Sequence, residues 1–109
     1  MTGNKYQQYA LRTSSRGSNG DMVLNGVMGL NGEAGECIDI VKKHLFQGHE
    51  LDINKLVDEL GDVLWYAAVT AAGIGVALED VMQHNIDKLR KRYPEGFDAE
   101  RSINREDNE

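Results

Sequence analysis

The sequence of 109 residues has one cysteine and one proline, so it contains few residues that cross-link a chain or interrupt its secondary structure. Cys37 is the only cysteine, which excludes an intrachain disulfide and any metal site built from several thiolates. Pro94 is the only proline. No apolar run approaches the roughly 20 residues that span a bilayer, and residues 1–12 contain no apolar signal-peptide core. We therefore expect a cytoplasmic protein in a reducing setting, without a membrane partner.

Positive charge is also scarce. Lysine and arginine together number 12 against 18 acidic residues, which gives a net charge of -6. Because no basic stripe would offset phosphate repulsion, the composition argues against nucleic-acid binding. A small phosphorylated ligand stays compatible if a cation bridges it to the protein. The length suits one domain, but it is near the lower limit for burying a core alone, so pairing of subunits would help.

Apolar residues recur at helical spacing along the chain, and no segment alternates as a strand does. The pattern predicts a short helix over residues 4–12, a loop over 13–20, and long helices over about 21–45, 53–73 and 78–92. Asp21 and Asp52 are the expected N-caps, and Pro94 ends the last helix. The sequence predicts an all-α fold with a four-helix-bundle-like domain over residues 1–94 and an extended polar tail over residues 95–109.

Each long helix carries an apolar stripe, and we expect the stripes of the first two to face the core. The stripe of the first long helix comprises Val23, Val27, Leu30, Ala34, Cys37, Ile38, Val41 and Leu45. The second has Leu56, Leu60, Val63, Ala67, Ala71 and Ile74, and the third has Leu78, Val81, Met82, Ile86, Leu89 and Tyr93. Glycine recurs at every third position from Gly26 to Gly35, which predicts close approach by another helix or by a ligand.

Two pairs of carboxylates border these stripes, each with a spacing of three residues. Glu33 and Glu36 lie on the first long helix, and Glu59 and Asp62 lie on the second. A short connector implies antiparallel helices, which would place the two pairs opposite each other. Four carboxylates in one small volume need a cation, since like charges raise each other's pKa. Ligands that are all oxygen suit Mg²⁺, or Mn²⁺ in its place, better than Zn²⁺.

Other interpretations of the acidic pairs bear on this prediction. One such pair is usually a solvated helix face, so metal binding and a solvated face both stay open on the pattern alone. A di-iron bundle requires a histidine three residues after a glutamate, and His44, His49 and His84 do not have that position. Cys37 lies on the predicted core stripe, which favours packing over nucleophilic catalysis.

Taken in order, these motifs resemble the E-x-x-E…E-x-x-D pattern of the MazG-like all-α nucleotide pyrophosphohydrolases. The resemblance covers about residues 5–94. It includes Gly29-Leu30-x-Gly32-Glu33-Ala34-Gly35-Glu36, Lys42-Lys43, Glu59-Leu60-Gly61-Asp62-Val63-Leu64-Trp65-Tyr66 and Asn85-x-x-Lys88-Leu89-x-x-Arg92-Tyr93-Pro94. It implies a four-helix-bundle-like core built as a homodimer or homotetramer, with the acidic pairs on two long antiparallel helices.

The resemblance also implies an activity. Members hydrolyse a nucleoside triphosphate between the α and β phosphates with Mg²⁺, which yields the monophosphate and pyrophosphate and would cleanse the nucleotide pool. The resemblance implies that the metal ligands are Glu33, Glu36, Glu59 and Asp62. Glu33 and Glu36 are the first candidates for orienting or deprotonating the attacking water.

The remaining site residues are likewise implied by the resemblance. Asn85, Lys88 and Arg92 would face the phosphates. Tyr66, Asn25 and Lys43 would lie near the base or sugar. Trp65 is expected to point away from Tyr66 and to serve an interface or packing. A different class of function stays open, namely a non-catalytic helical module that binds a nucleotide or a protein and keeps the acidic cluster for metal-linked folding.

Overall fold

The computed structural model describes residues 1–15 and 17–105 of the chain. Within these residues it contains five helices, which are α1 (Gly3–Leu11), α2 (Asn19–Phe46), α3 (Ile53–Gly73), α4 (Leu78–Arg92) and α5 (Ala99–Ile103). The same residues form no strand, and a single isolated bridge pairs Pro94 with Gly96. The prediction of an all-α fold is confirmed.

The two long helices begin at side-chain caps. Asp52 caps α3 as predicted, since its carboxylate accepts a hydrogen bond from the Lys55 backbone N–H. The prediction that Asp21 caps α2 is wrong. Ser18 is the N-cap, and Asp21 completes a capping box by accepting a hydrogen bond from the Ser18 N–H. The reciprocal bonds explain why α2 begins two residues earlier than expected.

Helices α2 and α3 pack as an antiparallel hairpin. Gly26 faces Thr70 and Gly29 faces the Tyr66 ring, so the contacting position on α3 falls as the position on α2 rises. A Cβ atom at either glycine would overlap the opposing side chain. The close approach predicted from the glycine spacing is therefore helix packing at these two positions.

The most deeply buried side chains lie where α1 and the start of α4 meet the second half of α3. Ala10, Ala68 and Leu78 form one cluster against which Trp65 packs. The Trp65 Nε1–H donates to the Ala10 carbonyl at 3.1 Å and to the Thr13 hydroxyl at 2.8 Å. These bonds hold the C-terminal end of α1 on α3, and they confirm the packing role expected for Trp65.

The predicted core stripe of α2 is wrong for much of its length. Helix α2 buries Gly26 and Ile40 instead. Four apolar residues of the predicted stripe, here called the outer stripe, are 38–68% exposed: Val27, Ile38, Val41 and Leu45. Apolar residues occupy two faces of α2, and the narrower face packs on α3 because its glycines allow closer approach. On α3, two residues of the predicted stripe are likewise exposed, namely Leu60 at 51% and Ile74 at 61%.

Helix α4 turns away from the hairpin. Its axis meets that of α3 at a bend of 103°, after a turn in which Gly75 adopts a φ of 75°. Much of the apolar stripe of α4 is exposed within the chain, since Val81, Met82, Ile86 and Leu89 are 40–50% exposed. Among the described residues no single helix is long and apolar enough to cross a membrane, although the bent α3–α4 pair has the length and composition.

The C-terminal segment is not extended throughout, contrary to the prediction. Helix α5 begins after Asp98, whose carboxylate accepts hydrogen bonds from the Glu100 and Arg101 backbone N–H groups. The Arg101 guanidinium donates to the backbone carbonyls of Arg92 and Lys91 at the end of α4. Local capping and this contact with the carbonyl end of α4 account for the ordered turn of helix.

Candidate metal centre and active site

Three of the four predicted metal ligands converge between α2 and α3. Carboxylate oxygens of Glu33, Glu59 and Asp62 lie within 4.8 Å of one another. The register of the hairpin explains this meeting. Glu33 follows Gly29 by one turn, while Asp62 and Glu59 precede Tyr66 by about one and two turns. These three residues are called the carboxylate cluster.

The electrostatics of the cluster favour an added positive charge. The pKa of Glu33 is raised from 4.5 to about 7, chiefly by its hydrogen bond to Glu59 and further by desolvation and the charges of Glu59, Asp62 and Glu36. Glu33 therefore holds a proton for much of the time at neutral pH. The Oε2 atom of Glu59 is buried and has no hydrogen-bond partner among the described residues, a costly state for a carboxylate oxygen.

This donor set fits a hard divalent cation. The ligand atoms are all carboxylate oxygens, which Mg²⁺ and Mn²⁺ prefer. A cation would give the buried Glu59 oxygen a partner. It would also displace the proton of Glu33, because its positive charge offsets the negative charges that raise the pKa of that group. Three protein carboxylates also leave coordination positions for water and phosphate oxygens.

Glu36 lies at the edge of the cluster. It is exposed and does not belong to the group of mutually close ligand atoms, but its charge is near enough to contribute to the raised pKa of Glu33. The structure thus brings together three of the four predicted ligands and leaves the fourth carboxylate open to solvent beside them.

The predicted phosphate-binding residues lie on a different part of the molecule. Asn85, Lys88 and Arg92 are on α4. Asp62 stands 11 residues before the end of α3, and Lys88 stands 10 residues into α4. With the bend of 103° between the helices, a rise of 1.5 Å per residue separates their Cα atoms by roughly 20 Å. One chain alone does not bring these residues to the carboxylate cluster.

The three residues predicted near the base or sugar are also dispersed. Tyr66 packs against Gly29 and lies one turn from the cluster. Its ring meets that of Trp65 edge-on, with centroids 5.0 Å apart, so the expectation that Trp65 points away from Tyr66 is wrong. Asn25 and Lys43 flank Glu33 at opposite ends of α2 and stand about 27 Å apart along the helix. The Lys43 ammonium pairs with Asp39 at 2.9 Å. Within one chain, Asn25 and Lys43 are too far apart to contact the same base.

Tyr6 reaches the cluster although the sequence did not single it out. Its hydroxyl donates to the Gly61 carbonyl at 3.4 Å, and burial together with the Asp62 charge raises the pKa of the Tyr6 phenol. The spacing of Tyr6, Tyr9 and Ala10 predicts a docking helix. Only the packing of α1 on α3 shows which of its side chains reaches Asp62, so no local signal could have found it.

Residues 24–97 match the MazG nucleotide pyrophosphohydrolase domain. The chain belongs to the MazG family. The matched span contains the carboxylate cluster, Glu36, Tyr66 and all of α4, which carries the predicted phosphate-binding residues. Helix α1, with Tyr6, precedes the MazG span.

Two relatives of this MazG protein share part of its sequence. It is 42% identical to the Gene 37 protein of Mycobacterium phage L5 over 73 residues, which are 63% of this chain and 64% of that protein. It is 46% identical to the uncharacterized protein YvdC of Bacillus subtilis (strain 168) over 39 residues, which are 36% and 37% of the two chains. The match thus spans less than two thirds of either relative. No solved structure matches the chain.

Proposed function

We propose that this MazG protein is a Mg²⁺-dependent pyrophosphohydrolase of nucleoside or deoxynucleoside triphosphates that cleanses the nucleotide pool. Water attacks the α-phosphorus, the bond from that phosphorus to the α–β bridging oxygen breaks, and pyrophosphate leaves the nucleoside monophosphate behind. The observation that carries the proposal is the convergence of Glu33, Glu59 and Asp62 within 4.8 Å inside the span matched by the family.

The carboxylate cluster would hold the divalent ion, with Mn²⁺ as a possible substitute for Mg²⁺. The ion, when bound, neutralises phosphate charge and lowers the pKa of a bound water. Glu36 is exposed beside the cluster and is suited to orient the attacking water or accept its proton. Glu33 is the second candidate for that role, because it stands three residues before Glu36 on the same helix.

A second copy of the chain would complete the site. The chain exposes 8007 Å², whereas a compact monomer of 12.1 kDa exposes about 6,000 Å². Its radius of gyration is 16.8 Å, against about 13 Å for a compact chain of this length. The excess area of about 2,000 Å² is of the order that a stable subunit interface covers. These values support a homodimer or homotetramer.

The exposed apolar residues indicate which surfaces would pair. The outer stripe of α2 and the exposed residues of α4 face away from their own chain. If α4 packs against the hairpin of a neighbouring copy, Asn85, Lys88 and Arg92 stand beside that copy's carboxylate cluster. Their donors would then stabilise the negative charge that develops on the leaving pyrophosphate. Tyr66 would contact the base or sugar from the chain that supplies the cluster. Asn25 and Lys43 of that chain lie on opposite sides of the cluster, so only one of them would reach the same base.

A substrate screen tests this function. The purified chain is incubated with triphosphates of every base, with and without a 2′-hydroxyl, in Mg²⁺ or in EDTA. We expect at least one nucleotide to yield monophosphate and pyrophosphate in equal amounts, and EDTA to stop the reaction. A non-catalytic binding module predicts that Mg²⁺ and nucleotide raise the melting temperature without turnover, and that result would replace the proposal.

A further inference from the structure

Helix α4 begins without a side-chain cap of its own. Its N-cap is Ala77, which has no side-chain acceptor. The first four N–H groups of a helix find no partner within the helix, so they must bond elsewhere. The Ala77 carbonyl accepts from Asp80 at 3.0 Å and from Val81 at 3.3 Å. The other two N–H groups, those of Leu78 and Glu79, bond to side chains of α1.

Gln7 supplies the first of these external caps. Its Oε1 accepts a hydrogen bond from the Leu78 N–H at 3.0 Å. Its Nε2 donates to the carbonyls of Ala68 and Val76, each at 3.1 Å. Gln7 is only 8% exposed, and both ends of its amide are engaged. One buried side chain therefore joins α1 to the second half of α3, to the connecting turn and to the start of α4.

Asn4 supplies the second cap, and the arrangement is reciprocal. The Asn4 Oδ1 accepts from the Glu79 N–H at 3.1 Å. In return, the Asn4 N–H donates to the Glu79 carboxylate at 2.7 Å. Helices α1 and α4 thus cap each other's first turns, which links their relative placement.

Beyond its first turns, where Met82 also meets Gly3 of α1, α4 packs loosely on the body of its own chain. All residues of α4 are described, and Leu78 is the one that is buried. A helix held at one end acts as a lever. Lys88 lies about 15 Å along α4, so a rotation of about 10° at its start would move Lys88 by roughly 2.6 Å. Misplacement of about 1 Å at an active site can cost about 100-fold in rate.

We propose that Gln7, together with Asn4, is a positioning residue of the phosphate site. The two side chains set the direction of α4 and thereby where Asn85, Lys88 and Arg92 stand. The consequence for the reaction rests on the proposed function, whereas the consequence for the direction of α4 does not. Because α1 lies outside the span matched by the family, this role is a property of this chain's own N-terminal segment.

Electron spin resonance measures the direction of α4 without any reaction. On a Cys37→Ser background, Lys55→Cys on α3 and Arg90→Cys on α4 carry spin labels, and labelled chain is diluted into unlabelled chain so that intrachain distances are read. Gln7→Met keeps the approximate volume and removes the hydrogen bonds. Gln8→Met, at the exposed neighbouring position, is the matched control. Asn4→Ala is the milder variant should Gln7→Met fail to fold.

The proposal predicts a narrow α3–α4 distance distribution in the parent and in Gln8→Met, and a broadened or shifted one in Gln7→Met and Asn4→Ala. Unchanged narrow distributions in the folded variants would overturn it. The distance measurement tests the role of Gln7 whether or not the protein cleaves a nucleotide. If the parent protein cleaves none, the proposed function fails but the role of Gln7 in directing α4 does not.

Kinetics then separate positioning from stability. The carboxylate cluster lies on α2 and α3, so Gln7→Met should leave Mn²⁺ affinity unchanged. Below its melting temperature the variant should lower kcat and kcat/KM for nucleotide by roughly tenfold, because the displaced donors stabilise charge that develops in the transition state. A purely structural Gln7 would lower the melting temperature but leave kcat/KM at the parent value, and that outcome would count against the proposal.

Discussion

A carboxylate oxygen of Glu33 on α2 lies within 4.8 Å of one of Glu59 on α3, across the boundary between the two long helices. Two acidic side chains meet in this way because the helices are antiparallel and the glycines at 26 and 29 allow close approach. Their closeness raises the pKa of Glu33 to about 7, so the metal-free cluster favours a proton on Glu33. The packing of the hairpin and the proposed chemistry thus depend on the same contact.

The stability of the metal-free protein should fall as pH rises from 5 to 8. The pKa of Glu33 is 4.5 when unperturbed and about 7 in the folded protein. The protonated carboxyl therefore contributes stability that is fully present below pH 4.5 and is lost as pH rises through about 7. Melting temperatures in EDTA across this range measure the effect.

The matched variant for this prediction is Glu33→Gln, which should reduce the pH dependence because it removes the titrating group. Mg²⁺ or Mn²⁺ should raise the melting temperature more at pH 8 than at pH 5, since the cation competes with the proton. A metal-free protein that becomes more stable between pH 5 and pH 8 would contradict this account of the cluster.

Two glycines on one helix should respond in opposite directions to alanine. Gly29→Ala places a Cβ against the Tyr66 ring and should destabilise the chain by roughly 1–3 kcal/mol. A Cβ atom added at Gly32 would have no described atom of another residue's side chain or of a neighbouring helix within 4 Å. Gly32→Ala should therefore stabilise α2 by up to about 1 kcal/mol. Chemical denaturation of the two variants measures both. Equal effects would show that α2 and α3 pack differently.

The outer stripe of α2 should be an interface between copies. Val41→Glu places a charge in this stripe and should lower the mass measured by light scattering or sedimentation, with loss of activity. Gln8→Glu adds the same charge to an exposed position on α1 and should leave the mass unchanged. Parent protein that sediments as a monomer at high concentration would contradict the assignment.

If α4 serves the neighbouring copy, two inactive variants should restore activity when mixed. Glu59→Gln disables the cluster and Lys88→Ala disables the phosphate contact. In a mixed dimer one site combines both defects and the other has neither, so random exchange restores about a quarter of the sites. Mixing after denaturation and joint refolding tests this. Activity that stays at the level of the separate variants would place Lys88 and the cluster of one chain in the same site.

The sequence predicted those features that depend on neighbours along the chain. The N-cap at Asp52 and the helix end before Pro94 depend on residues close in sequence. The periodic apolar pattern located α3 and α4 at their observed bounds. The face of α2 that packs within the chain was not predictable. Apolar residues such as Ile40 and Val41 lie on adjacent faces, and spacing does not tell which of them meets α3 and which meets a neighbouring copy.

Long-range contacts account for the rest of the difference. The placement of Tyr6 near Asp62 depends on how Trp65 holds α1, and the direction of α4 depends on hydrogen bonds from Gln7 to residues more than 60 positions away. The pairing of Glu33 with Glu59 could be expected from antiparallel helices. The position of Glu36 outside that cluster depends on the rotation of α2 about its axis, which the glycines set.

The comparison of Asp62→Asn with Asp58→Asn tests the central claim most directly. Both residues are exposed on α3, and only Asp62 belongs to the carboxylate cluster. Asp62→Asn should lower kcat/KM for pyrophosphate release by at least about 100-fold, because even residues that merely support metal ligands are worth about 10- to 100-fold. Asp58→Asn should keep the parent value, and both variants should retain their helical circular dichroism. Undiminished pyrophosphate release by Asp62→Asn would contradict the assignment of the cluster as the catalytic metal centre.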